Sequence, residues 1–293
     1  MRYIEPLFRP PSEGASLILQ VTNGCSWNQC AFCEMYTAPQ KKFSVKPFAQ
    51  IETELEEAAV RYAGVRRIFL ADGDAMVLSM RRLLQILEAI QKYFPNLNRV
   101  SSYCLPRNVA SKSTEELEAL RNAGLSLVYV GAESGDDELL NIINKGETFA
   151  STASALNKLH QAGIKSSVMI LNGLGGQALS QQHALNSARL VNETQPHYLA
   201  TLVVSFPLGE QRFRTHFPSG IDLLDQRGLF QELEQFISHT ELENTIFRSD
   251  HASNYLALKG VLGKDKQRLL GMLHTAQHAP EKLALRQEWQ RGL

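Results

Sequence analysis

SLILQVTNGCSWNQCAFC, residues 16–33, joins a seven-residue run of strand character to a loop carrying three cysteines. Four residues separate Cys25 from Cys30, two separate Cys30 from Cys33, and the chain's only other cysteine is Cys104. That spacing gives no disulfide framework. Thiols so close together read instead as a metal or redox site. A strand that runs straight into a chemically distinctive loop is also how parallel α/β folds build their sites, at the C-terminal ends of strands.

The pattern repeats along the chain. Strand-like runs follow at 66–71, 99–104, 126–131, 165–171 and 198–206, separated by segments of helical period. In 79–94, Leu83, Leu84, Leu87, Ile90 and Phe94 fall on one helical face. Ser113 or Thr114 before Glu116 marks a capped helix start. Segments 48–64, 113–124, 136–162 and 179–193 complete the helical set, and Gly64, Gly124 and Gly163 sit where a helix hands over to a strand. Six alternations predict an α/β fold, a parallel sheet with right-handed crossovers, either open or closed toward a barrel. The last eighty or so residues read as mainly helical, with little strand signal.

The totals narrow the function. With 293 residues the chain can bury a sizeable core, and 30 basic against 30 acidic side chains leave no net field to draw it to nucleic acid or membrane. The first fourteen residues, MRYIEPLFRPPSEG, lack the apolar core of a signal peptide and no apolar run is long enough to span a bilayer, so a cytoplasmic location and no membrane partner are expected. Arg212 and Arg214 form only a small basic cluster, and nucleic acid is not indicated.

The distinctive segments follow successive strand ends: the cysteine loop, ADGDA at 71–75, CLPRN at 104–108, GAESGDD at 131–137, NGLGG at 172–176 and SFPLGE at 205–210. Structural zinc normally takes four ligands, and no second close Cys or His pair stands nearby. A 4Fe-4S cluster held by three cysteines uses the set as it stands and leaves one iron for a small molecule.

With these motifs in order, residues 15–210 resemble the radical S-adenosylmethionine superfamily, in particular the subgroup of coproporphyrinogen oxidases, methylthiotransferases and Elongator-type enzymes. The family's cysteine gaps are three and two; here the first is four, and Phe32 fills the aromatic position before the last cysteine. The resemblance implies a partial (β/α)6 TIM-like barrel over 16–215, an N-terminal extension at 1–15 and a helical C-terminal region at 216–293 that serves as a substrate cap. It implies Cys25, Cys30 and Cys33 as cluster ligands and S-adenosylmethionine as the second cofactor. Phe32 would lie at the adenine side, Gly73 and Asp74 at the amino group, Glu133 at the ribose, Gly173 and Gly175 behind the adenine, and Arg107 at the carboxylate. The expected activity is reductive cleavage of S-adenosylmethionine and hydrogen abstraction from an unidentified substrate, with a flavodoxin or ferredoxin as electron donor. The alternative is a haem or cofactor carrier on the same scaffold, with His216 and His251 as candidate axial ligands.

Plainer roles compete. Glu133 could cap a helix starting near Asp136, Asp72 reads as a turn residue, Cys104 as a small buried hydrophobe, and Trp27 and Met35 as packing. Gly173, Gly175 and Ala178 fit a dinucleotide pattern, but Glu193 precedes the next strand instead of ending it. Residues 244–260 read either as a polar loop or as a substrate-facing cap.

Overall fold

The computed structural model describes residues 1–62 and 64–292. Ala63, inside the segment expected to be helical, and Leu293, the end of the C-terminal region, lie outside them. In chain order the strands are β1 (Leu17–Gln20), β2 (Thr22–Asn23), β3 (Ser44–Val45), β4 (Arg67–Ala71), β5 (Arg99–Tyr103), β6 (Leu125–Glu133), β7 (Lys165–Asn172), β8 (Tyr198–Val203), β9 (Ile246–Ser249) and β10 (Leu258–Val261). The α-helices are α1 (Phe48–Arg61), α2 (Met80–Tyr93), α3 (Pro106–Ala110), α4 (Thr114–Asn122), α5 (Asp137–Ile142), α6 (Phe149–Gln161), α7 (Gly176–Thr194), α8 (Gln211–Arg214), α9 (Gln226–Ser238) and α10 (Leu262–His278). Eight of the strands make a mostly parallel sheet, as the alternation predicts.

The chain divides into two compact units that interleave along the sequence. One comprises 1–28, 33–130 and 154–166, the other 29–32, 131–153 and 167–293. In the first, β1 pairs with β4, β4 with β5, and β5 with β6, all parallel. Strands buried on both faces need continuous apolar runs, and Ile68, Phe69, Leu70 and Ala71 supply one. Phe69 meets Tyr103 edge-on at 5.1 Å. Helix α2 starts at Ser79, whose side chain accepts from Arg82 N, and buries Leu83, Ile86, Leu87 and Ile90. Helix α4 carries a full capping box: Ser113 N donates to Glu116 Oε2 at 2.8 Å and Glu116 N to Ser113 Oγ at 3.2 Å.

In the second unit β7 pairs with β8 and β8 with β9, both parallel, and β10 closes antiparallel on β9. Its apolar cluster gathers Ala31, Leu139, Leu140, Ile143, Leu171, Leu174, Phe213, Phe217 and Ile221.

Two elements differ from the sequence reading. The helical stretch expected over 136–162 is two helices, broken where Asn144 and Gly146 take positive φ. The C-terminal region contains β9 and β10, which were not expected: each has only four residues, too few to show a periodicity. They turn most of segment 244–260 into a hairpin whose connection carries His251 and Ser253.

Candidate functional site

The cysteine loop leaves β2 through Gly24, whose φ is +70° and whose missing Cβ would overlap the Lys41 carbonyl. Only glycine fits there. The strand-end turn after β4 holds the start of the loop. Gly24 N donates to Asp72 Oδ2 at 3.2 Å, and Ser26 Oγ donates to Asp74 Oδ2. Cys25 thus sits between two residues pinned by buried carboxylates. Asn28, within the four-residue gap, takes φ +45° and donates its amide to Tyr36 O at 2.9 Å. Asn is among the residues that tolerate the left-handed region.

Asp72 is far more than a turn residue. Its side chain and that of Lys41 are both 0% exposed and form an ion pair. Gln20 Nε2 also donates to it at 3.3 Å, and Lys41 Nζ donates onward to Ile4 O at 2.9 Å. Burial pushes the carboxyls of Asp72 and Asp74 up; Lys41 opposes that for Asp72, and Ser26 for Asp74. Between them, a side chain at Gly73 would overlap the Tyr36 ring. Around this glycine Tyr36 OH, Asp72 Oδ1 and Asp74 Oδ1 are buried without a hydrogen bond of normal geometry, although Tyr36 and Asn108 come close enough to the two carboxylates to favour their charged forms. Arg107, in α3, lays its guanidinium 4.2 Å over the Trp27 ring, so Trp27 has a cation partner beyond packing. Cys104 is buried, with its thiol toward Leu105 O at 3.4 Å.

In the second unit Glu133 ends β6 with φ +65°. It does not cap α5, because Asp136 does, accepting from Leu139 N at 2.9 Å. Glu133 Oε1 instead accepts from the buried Lys145 Nζ at 3.0 Å, and Nζ also stands 5.8 Å from the Phe32 ring centroid. A Cβ at Gly131 would overlap the Glu133 carboxylate. After β7, Gly173 has φ +86° and a Cβ there would meet Leu229 Cδ2 at 2.7 Å; one at Gly175 would meet Leu179 Cβ at 2.9 Å. Gly173 N donates to Glu232 Oε1 at 2.5 Å and Ser180 Oγ to Glu232 Oε2 at 2.6 Å. Burial raises the Glu232 carboxyl, with His183 opposing at 3.8 Å.

His216 Nδ1 bonds Arg212 O at 2.9 Å, and His251 Nδ1 bonds Ser253 Oγ at 2.9 Å. Burial and the Arg286 guanidinium hold the His251 imidazole below its usual value.

Cys25 and Cys33 belong to the first unit and Cys30 to the second, and all three are half-buried thiols outside any disulfide. Among the described residues no three Cys, His, Asp or Glu side chains are gathered as a metal cage. The donor set itself suits a cluster: three thiols on one loop held by backbone and carboxylate anchors. The Asp74 carboxylate next to Gly73 has the charge that suits a cationic amine. Tyr36, Lys41, Lys145 and Glu232 escaped the sequence reading. Lys41 and Glu232 lie 31 and 59 residues from the turns they hold, at Asp72 and Gly173, and leave no local signal. Lys145, in NKG twelve residues past Glu133, was close enough to suspect.

Comparison with known proteins adds the family. Residues 19–187 match the Radical SAM superfamily, well over half of the chain and all three clustered cysteines. A provisionally named methylthiotransferase, MJ0865 of Methanocaldococcus jannaschii, is 26% identical over 162 residues, which is 52% of this chain and 34% of that protein. The haem chaperone HemW of Bacillus subtilis is 24% identical over 160 residues, 53% of this chain and 42% of its own length. The chain therefore spans less than half the length of these curated relatives. Coproporphyrinogen III oxidase (HemN) from Escherichia coli, a radical SAM enzyme, superposes with a TM-score of 0.57 at 18% identity, covering 76% of this chain and 51% of that one. At that identity the likeness is one of fold. No helix among the described residues is long and apolar enough to cross a membrane.

Proposed function

The chain belongs to the Radical SAM superfamily, and on that premise we propose that it is an enzyme holding a 4Fe-4S cluster through Cys25, Cys30 and Cys33. The observation that carries the reading is the three-thiol loop inside the family-matched segment, anchored next to Cys25 by the buried carboxylates Asp72 and Asp74. When bound, the cluster and S-adenosylmethionine supply reductive cleavage of the sulfonium to a 5′-deoxyadenosyl radical, which takes hydrogen from a substrate.

The chain's own residues bind and orient. Gly73 would receive the cofactor's amino group through its backbone carbonyl, in the negative field of the neighbouring Asp74. Arg107 supplies a cation for the carboxylate. Lys145 fixes one oxygen of Glu133 and leaves the other to accept from a ribose hydroxyl. Phe32 would lie at the adenine side, with the turn of Gly173 and Gly175 behind it. Electrons are expected from a reduced flavodoxin or ferredoxin, and residues 216–292 serve as the substrate cap.

Anaerobic reconstitution with iron and sulfide tests this. About four irons per chain are expected, with 5′-deoxyadenosine formed on adding dithionite and S-adenosylmethionine. Cys30→Ala should abolish both, and full activity in that variant would sink the assignment. The relative named a haem chaperone supports a second reading, a haem carrier. Stoichiometric haem binding without 5′-deoxyadenosine formation would favour it, with His216 and His251 as the axial candidates to replace first.

A further inference from the structure

The middle of the cysteine loop, residues 29–32, is gripped by elements distant in sequence. Ala31 N donates to Ile143 O at 2.9 Å, and Asn144 Nδ2 reaches Gln29 O at 3.4 Å. Arg212, 182 residues beyond the cysteine, donates from Nη2 to the Cys30 carbonyl at 3.0 Å. Its neighbour Phe213 belongs with Ala31 and Ile143 to one buried apolar cluster. The four-residue helix α8 therefore presents an apolar side chain and a guanidinium to consecutive loop residues. It is itself tightly held. Phe213 packs on Phe206 at 4.7 Å and Phe217 at 5.0 Å, Arg214 Nη1 donates to Ile221 O at 2.7 Å, and the Arg212 carbonyl accepts from Thr215 Oγ1 at 2.8 Å.

We propose that Arg212 is a positioning residue for the cluster loop: it fixes the backbone of Cys30 and places a permanent positive charge beside that ligand. The proposal rests on the iron-sulfur reading of the loop. A guanidinium stays charged at any working pH, and its planar fork is rigid once one N–H is committed. An electron delivered to a thiolate-bound cluster adds negative charge, so a fixed cation 3.0 Å from the carbonyl of one ligand residue favours the reduced state. Hydrogen bonding around a ligand's backbone likewise tunes a metal centre through the ligand it orients. A residue that only filled space would have the first effect on loop order and none on the electron.

The test compares Arg212→Gln and Arg212→Lys with the unaltered chain after anaerobic reconstitution, reading iron per chain and the cluster's midpoint potential by spectroscopic redox titration. Arg212→Gln should load iron but show at least a tenfold lower reduced-to-oxidised ratio at a fixed ambient potential, equivalent to about 59 mV for a one-electron couple. Arg212→Lys, which keeps the charge, should stay within about threefold of the unaltered chain. Equal potentials in all three would overturn the proposal. Hydrogen exchange on the iron-free proteins is the second arm: the peptide spanning 29–32 should exchange faster in Arg212→Gln, and unchanged exchange would overturn the positioning role even if that variant loads no iron. If the unaltered chain loads no iron, the iron-sulfur reading fails, while the exchange arm still reports on the grip.

Discussion

Two glycine turns follow strands of the sheet, and they are held in opposite ways. The turn after β4, Asp72-Gly73-Asp74, contains its own anchors: both flanking aspartates are buried, and each accepts a hydrogen bond from the cysteine loop. The turn after β7, Gly173-Leu174-Gly175, contains no polar side chain, and its anchor is Glu232 in α9, reaching Gly173 N from 59 residues away. The first turn is charged within itself and paired to a buried lysine; the second borrows a carboxylate whose other partners are a hydroxyl and a histidine. A turn that carries its anchors spends its acceptors on neighbouring loops. A turn without them ties its position to whatever packs against it, here the C-terminal region.

The sharpest way to break this contrast is Asp72→Ala. It strands the ammonium of Lys41, which is wholly buried, and removing one partner of a buried ion pair costs about 3–5 kcal/mol. Denaturant unfolding should show that loss, along with failure of the cysteine loop to load iron. Glu232→Ala should cost less, about 2–4 kcal/mol, since it leaves the Gly173 amide and the Ser180 hydroxyl unsatisfied but strands no full charge. Equal or reversed costs would mean that the second turn is the more deeply anchored one.

The same contrast explains what was legible in the sequence. The six core strands, the Ser113–Glu116 capping box and the glycine turns that follow strands at 71–75 and 172–176 are written in local pattern, so the residues alone reveal them. The two halves of the helical stretch 136–162 were not separable, because the break depends on Asn144 accepting a left-handed conformation that its residue type permits but does not demand. Asp72 was visible yet undervalued: a buried aspartate and an exposed turn aspartate look alike until Lys41 is known to face one of them. Glu232 and Arg212 were invisible as anchors, since a helix face of ordinary period says nothing of which distant turn or loop it meets.

Gly173→Ala sharpens the comparison at the glycine itself. The added methyl must be carried at φ +86° and would press on Leu229 Cδ2 at 2.7 Å, from the helix that supplies Glu232. Strain and overpacking together should cost about 1–3 kcal/mol in denaturant unfolding. S-adenosylmethionine affinity should weaken in parallel. Unchanged affinity at reduced stability would detach this turn from the cofactor.

The smallest effect is a pH dependence at the second turn's anchor. The Glu232 carboxyl is raised by burial above its ordinary 4.5, so the folded chain holds that proton more tightly than the unfolded chain does. Its contribution is therefore fully present below pH 4.5 and is lost as pH rises through the folded value. Glutamine at 232 keeps an acceptor for Gly173 N and does not titrate. The stability of Glu232→Gln relative to the unaltered chain should accordingly climb as pH rises above 4.5. Paired unfolding measurements across that range decide the sign. A relative stability that fell with pH would mean that Glu232 is held charged by its neighbours, and that burial does not set the character of the second turn's anchor.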